Sequence, residues 1–194
     1  VVLFLMSSPL KRSSSSSINS SLRSSSNSTL SLSGTRDRSL RATGSRRIVL
    51  KDRNLGKQPP EFLSSKLSDE KCTVLELSKN HFHTVPQCVF NLTKLVILDV
   101  SQNHLTSLPK EIAALPKLKK LVLNSNKFTR IPEELNEDHS IEQLLISHND
   151  IDEISSDTYI PHLRVIYASH NKITTIHNNF GAMTHLQEVH FKNN

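Results

Sequence analysis

Tryptophan is missing from this 194-residue chain, aromatics make up only 5%, and there are just two cysteines and four glycines. Each shortage closes off a class of function. Few aromatics argue against a platform on which nucleic-acid bases stack, so no specific nucleic-acid partner is expected. Two cysteines, Cys72 and Cys88, are too few to staple a small secreted scaffold. The glycines Gly34, Gly44, Gly56 and Gly181 stand alone, so no glycine-rich loop exists to cradle a phosphate. No nucleophile, base and acid stand out as a set, and no residue is assigned to catalysis or to a cofactor.

Acid is scarce at one end only. Residues 1–47 hold eight basic side chains and a single acid, Asp37, for a local charge of +7 against +6 for the whole chain. The basic excess is therefore a tail property. Residues 1–45 are dominated by serine, a composition that buries too little apolar surface to offset the entropy of ordering, so a disordered tail is expected. SSPLK at Ser7–Lys11 and RDRS at Arg36–Ser39 suit kinases, and phosphates there would cancel the charge. The same composition fits an organelle transit peptide, a weak grip on anionic membrane, or a plain solvated linker. VVLFLM at Val1–Met6 reads as the end of a signal or membrane segment, or as residues ahead of an initiating Met6.

After the tail one phrase keeps returning. CTVLELSKN leads to Asn80, LVILDVSQN to Asn103, LKKLVLNSN to Asn126, IEQLLISHN to Asn149, LRVIYASHN to Asn171 and LQEVHFKNN to Asn194. The steps are 23, 23, 23, 22 and 23 residues, which is the signature of a solenoid. Leu75/Leu77, Leu98/Val100 and Leu121/Leu123 alternate with polar neighbours, so a short strand sends them to one inward face. Stacked repeats then pair these strands about 4.8 Å apart in a parallel sheet. Where the chain turns away, backbone groups lose strand partners. A buried asparagine, both donor and acceptor, can satisfy them, and this structural role falls to Asn80, Asn103, Asn126, Asn149, Asn171 and Asn194. Pro86, Pro109 and Pro132 then open a return segment whose apolar residues follow helical spacing, as in Ile112, Leu115 and Leu118.

Two repeats depart from the pattern. Asp138 stands where Leu92 and Leu115 stand elsewhere, so a looser convex side is expected there; in the next repeat Ser155 replaces proline and one residue is missing. Upstream, Ile48, Leu50, Leu55 and Pro59 match the later columns, but Arg53 stands where asparagine belongs. Residues 46–66 are expected to be a degenerate capping repeat, with 67–194 holding about five complete repeats and a truncated one. A terminal repeat without a cap exposes an apolar edge, so the natural chain is expected to continue past Asn194.

With L-x-x-L-x-L-x-x-N and L-P-x-x-I-x-x-L at Leu108–Leu115, the array resembles the intracellular Ras-group leucine-rich-repeat proteins: Ras scaffolds and suppressors, the plant intracellular Ras-group proteins, and the repeat arrays of Roco GTPases and yeast adenylate cyclase. The resemblance spans roughly residues 48–194. It implies an α/β horseshoe with its parallel sheet on the concave face, in a cytoplasmic, monomeric scaffold or adaptor for signalling around small Ras-like GTPases or their effectors. A second reading is the recognition region of a larger kinase, cyclase or Roco GTPase; a third is a receptor ectodomain. Cysteine-rich caps of extracellular arrays are missing, and Cys72 and Cys88 read as small buried hydrophobes.

The partner face is expected on the outward strand positions. One column reads Glu76, Asp99, Val122, Leu145, Tyr167, His190, with Val165, His148 and His170 beside it. An apolar run across three repeats marks a protein-binding patch, with Glu76 and Asp99 steering a basic partner. His148/His170 and His81/His104 share columns in adjacent repeats, but two ligands make a poor zinc site, so no metal is expected. RVIY at Arg164–Tyr167 looks like a phosphatase-docking tetrapeptide, yet a strand there would turn Ile166 inward. The sequons at Asn19, Asn27 and Asn91 are expected by chance in a chain so rich in Ser and Asn.

Overall fold

The computed structural model describes residues 46–58, 60–67, 71–136 and 140–194. The expectations placed on residues 1–45 (disorder, kinase sites, membrane contact, the sequons at Asn19 and Asn27) and on Pro59 and Asp138 lie outside them. Alternation of inward leucine and outward polar residues produces β1 (Arg46–Val49), β2 (Cys72–Glu76), β3 (Ile97–Asp99), β4 (Lys120–Val122), β5 (Gln143–Leu145), β7 (Val165–Tyr167) and β9 (Glu188–His190). They form one parallel sheet in that order. The register is constant: Leu75, Leu98, Leu121, Leu144, Ile166 and Val189 lie opposite one another along the stack. The first five of these are fully buried.

Behind the sheet the chain returns through 3₁₀ turns at Gln87–Asn91, Lys110–Ala114, Glu133–Leu135 and Asn178–Ala182. Three to five residues are too few for a stable α-helix, and the tighter 3₁₀ turn suits so short a connection. Val89, Ile112 and Leu135 point from these turns into the core. Each proline sits one residue ahead of its turn rather than at the first turn position. Its φ is near the ring-locked value, and its carbonyl closes the turn, as in Pro109 O accepting from the Ile112 amide at 3.1 Å.

The proline column also explains a second, two-stranded parallel sheet of β6 (Glu153–Ile154) and β8 (Thr175–Ile176). His177 occupies the column of Pro86, Pro109 and Pro132, and its amide donates to Ile154 O at 3.0 Å. A proline there has no N–H to make that bond. Pairing on the return side thus forms where the proline is lost.

At the N-terminal end β1 pairs with β2, and Leu63 from α1 (Pro60–Lys66) joins the core with Leu50, Leu55 and Leu67. Arg53 replaces the ladder asparagine, yet its own amide donates to Asn80 Oδ1 at 2.9 Å, and Gly56 N donates to Asn80 O at 2.8 Å. A Cβ on Gly56 would come within 2.5 Å of His81 O and 2.7 Å of Asn80 O, both backbone atoms. Gly56→Ala should therefore push the first repeat off the second and cost about 2 kcal/mol, in the range of overpacked sites. Thermal melts check the total, and faster hydrogen exchange confined to β1 checks the location.

Candidate protein-binding face

Every second residue of the main strands faces outward, and constant register lines these residues into two columns on the concave side. One runs Glu76, Asp99, Val122, Leu145, Tyr167, His190; the other runs Arg47, Val74, Ile97, Lys120, Gln143, Val165, Glu188. Val122, Leu145 and Val165 are half-buried, and Tyr167 is 37% exposed. The inward leucines behind them hold these side chains in place before any partner arrives.

A shallow depression of about 330 Å³ lies on this face, lined by Arg47, Glu76, Asp99, Lys120, Val122 and Leu145 among others. Its charge is mixed. Glu76 is ion-paired with Arg47, and Asp99 Oδ1 accepts from the Ser101 amide at 2.9 Å. The field that two acids in one column would raise is offset by cations from the column beside it.

At the other end Tyr167 stacks on His190, with ring centres 4.2 Å apart and planes 4° from parallel. His148 stacks on His170 in the same manner, at 4.3 Å and 8°. The structure thus puts two flat stacks at the end of the apolar run, both built from residues that share a column. His148 and His170 sit at φ 57, as the turn demands of the residue before each ladder asparagine: Lys79, Gln102, Ser125 and Asn193 are also left-handed there.

Asparagine side chains fasten the edge of the face. Asn126 Oδ1 accepts from Leu105 N at 3.0 Å, while its Nδ2 donates to Val100 O at 3.1 Å and Leu123 O at 3.0 Å. Asn149 and Asn171 repeat the arrangement one and two turns on. Asn194 bonds the Ile173 amide and the Ala168 carbonyl, but is exposed. A second polar chain accompanies them. Asn124 Oδ1 accepts from Ser147 N, Ser147 Oγ from Ser169 N, and Ser169 Oγ from Lys192 N, at 2.8, 3.1 and 3.2 Å. Its signal was present in the sequence as the column Ser78, Ser101, Asn124, Ser147, Ser169.

Other sequence features resolve simply. Ile166 is fully buried, so RVIY is divided between two faces of a strand. Cys72 is buried and Cys88 half-buried; burial raises the Cys88 thiol above its ordinary value, which favours the unreactive protonated form. Glu142, held by Lys119 at 2.7 Å, has its carboxyl lowered below the usual range, a surface pair of small energetic weight. Among the described residues no helix is long and apolar enough to cross a membrane.

Comparison with known proteins agrees with this geometry. The leucine-rich-repeat family description matches residues 70–128. A solved leucine-rich-repeat protein of Leptospira interrogans superposes with a TM-score of 0.59 at 26% identity, covering 66% of this chain and 33% of that one. A TDR receptor superposes with a TM-score of 0.54 at 25% identity, covering 76% of this chain and 24% of the receptor. The chain therefore spans about a third and a quarter of those two proteins. No curated protein matches it in sequence. The array is of leucine-rich-repeat type, a fold suited to holding protein partners.

Proposed function

We propose that this chain is a non-enzymatic recognition module, in which residues 46–66 cap an array that binds a protein partner on its concave face. The observation that carries the reading is the in-register run Val122, Leu145, Tyr167, with Val165 beside it, on strands already ordered by their buried leucines. Binding to preordered side chains costs little further entropy. The site would comprise Val122, Leu145, Val165 and Tyr167, flanked by His148 and His170, with Glu76 and Asp99 at the polar end. The partner is a Ras-like small GTPase or one of its effectors, in cytoplasmic signalling, with this chain a monomer. The L-P-x-x-I-x-x-L return segment at Leu108–Leu115 supports that choice.

Tyr167 is the anchor of this proposal. Truncating a buried aromatic anchor costs about 2 kcal/mol or more, so Tyr167→Ala should weaken binding roughly thirtyfold without lowering Tm. Surface plasmon resonance against a panel of Ras-like GTPases, in both nucleotide states, and their effectors measures this. Binding of parent and variant with equal affinity would sink the concave-face assignment, and silence across the whole panel would sink the Ras-like partner.

A further inference from the structure

We propose that Lys120 sets the specificity of the concave depression, which takes a partner segment presenting a carboxylate beside an apolar side chain. The inference rests on the concave-face reading above and adds the chemistry of what docks there. In the sheet Lys120 lies opposite Ile97 on one side and Gln143 on the other, neither of them charged. The acid set diagonally from it is Asp99, two residues beyond Ile97. Asp99 Oδ1 instead accepts from the Ser101 amide at 2.9 Å. Glu76 is taken by Arg47, and Glu142 by Lys119 at 2.7 Å. Among the described residues the Lys120 ammonium therefore has no ion pair or hydrogen bond, although the residue is half-buried.

A cation partly removed from water and left unpaired is costly, and a carboxylate brought by a partner offsets that cost. The apolar half of the recognition lies next to it. Val74 is buried, Ile97, Val122 and Leu145 are half-buried, and all four line the same depression of about 330 Å³. That volume is at the low end of ligand sites, enough for one large side chain and an adjoining acid group. Arg47 and Glu76 neutralise each other, which leaves Lys120 and Asp99 to set the sign of the selection. Asp99 is already engaged by an amide, whereas Lys120 is not. The balance therefore favours an incoming anion.

The competing account is that the lysine stem only covers apolar neighbours while its ammonium reaches water. Titrating the full chain with 3-phenylpropionate, its neutral amide and 3-phenylpropylamine, followed by NMR, separates the two. The acid should bind saturably with a Kd of about 1–10 mM, as its size allows. It should shift the Val122 and Leu145 methyls and the Lys120 ε-methylene. The amide should bind about tenfold more weakly, the margin of one charge-assisted hydrogen bond, and the amine no better than the amide. Lys120→Met keeps an apolar stem and should reduce the acid to the amide's affinity, whereas Lys119→Met should leave it unchanged. Equal binding of acid and amide, preference for the amine, acid binding that survives Lys120→Met, or no saturable binding of the acid overturns the assignment. Such a failure leaves the Tyr167→Ala test of the concave face standing, and a failure of that test leaves the acid preference standing.

Discussion

Asn103→Ala should lower Tm by about 5–15 °C, corresponding to a loss of about 2–5 kcal/mol. Asn103 is 4% exposed, and its Oδ1 accepts from Asn80 N at 2.9 Å and Phe82 N at 3.0 Å. Its Nδ2 donates to Leu77 O at 3.1 Å, Val100 O at 2.9 Å and Ser101 O at 3.1 Å. Alanine leaves two buried amides without an acceptor, and each orphaned group costs about 1–3 kcal/mol. The damage should begin locally, because a solenoid is held by contacts between neighbours. Hydrogen exchange should accelerate first at the Asn80 and Phe82 amides. A parent-like melt for Asn103→Ala would mean that the ladder does not hold the stack.

Leu121→Ala should cost about 2–5 kcal/mol, the range for removing a fully buried leucine. Leu121 lies between Leu98 and Leu144 in the inward column, and all three are 0% exposed. Its neighbour Val122 is half-buried on the opposite face, so Val122→Ala should cost less than about 1 kcal/mol. The proposed binding face predicts the reverse ranking for partner affinity, with Val122→Ala the more harmful among folded molecules. Urea denaturation at constant slope measures the first ranking, and binding per folded molecule measures the second. Equal loss of stability in both variants would contradict the division into inward and outward faces.

That division was legible in the residues alone. A period of two inside a period of 23 leaves little freedom: inward leucines, the asparagine column and the apolar return positions follow from their spacing. In a solenoid, residues at equal positions in adjacent repeats become spatial neighbours, so a column in the sequence is already a contact list. The stacks of Tyr167 on His190 and His148 on His170 are of this kind. Contacts between columns are different, because they depend on rotamers and on how far a side chain reaches sideways. Nothing in the spacing says that Arg47 turns to Glu76, or that His83 lies near His104. The turn geometry was hidden for another reason. Lys79, Gln102, Ser125, His148, His170 and Asn193 all take φ between 54° and 59°, yet none is glycine and most share no side-chain chemistry. The backbone hydrogen bonds of the stack impose that conformation on whatever residue stands there. The small sheet of β6 and β8 was decided in the same way: the sequence records that Pro gives way to Ser155 and His177, and only the packed repeats set the His177 amide against the Ile154 carbonyl.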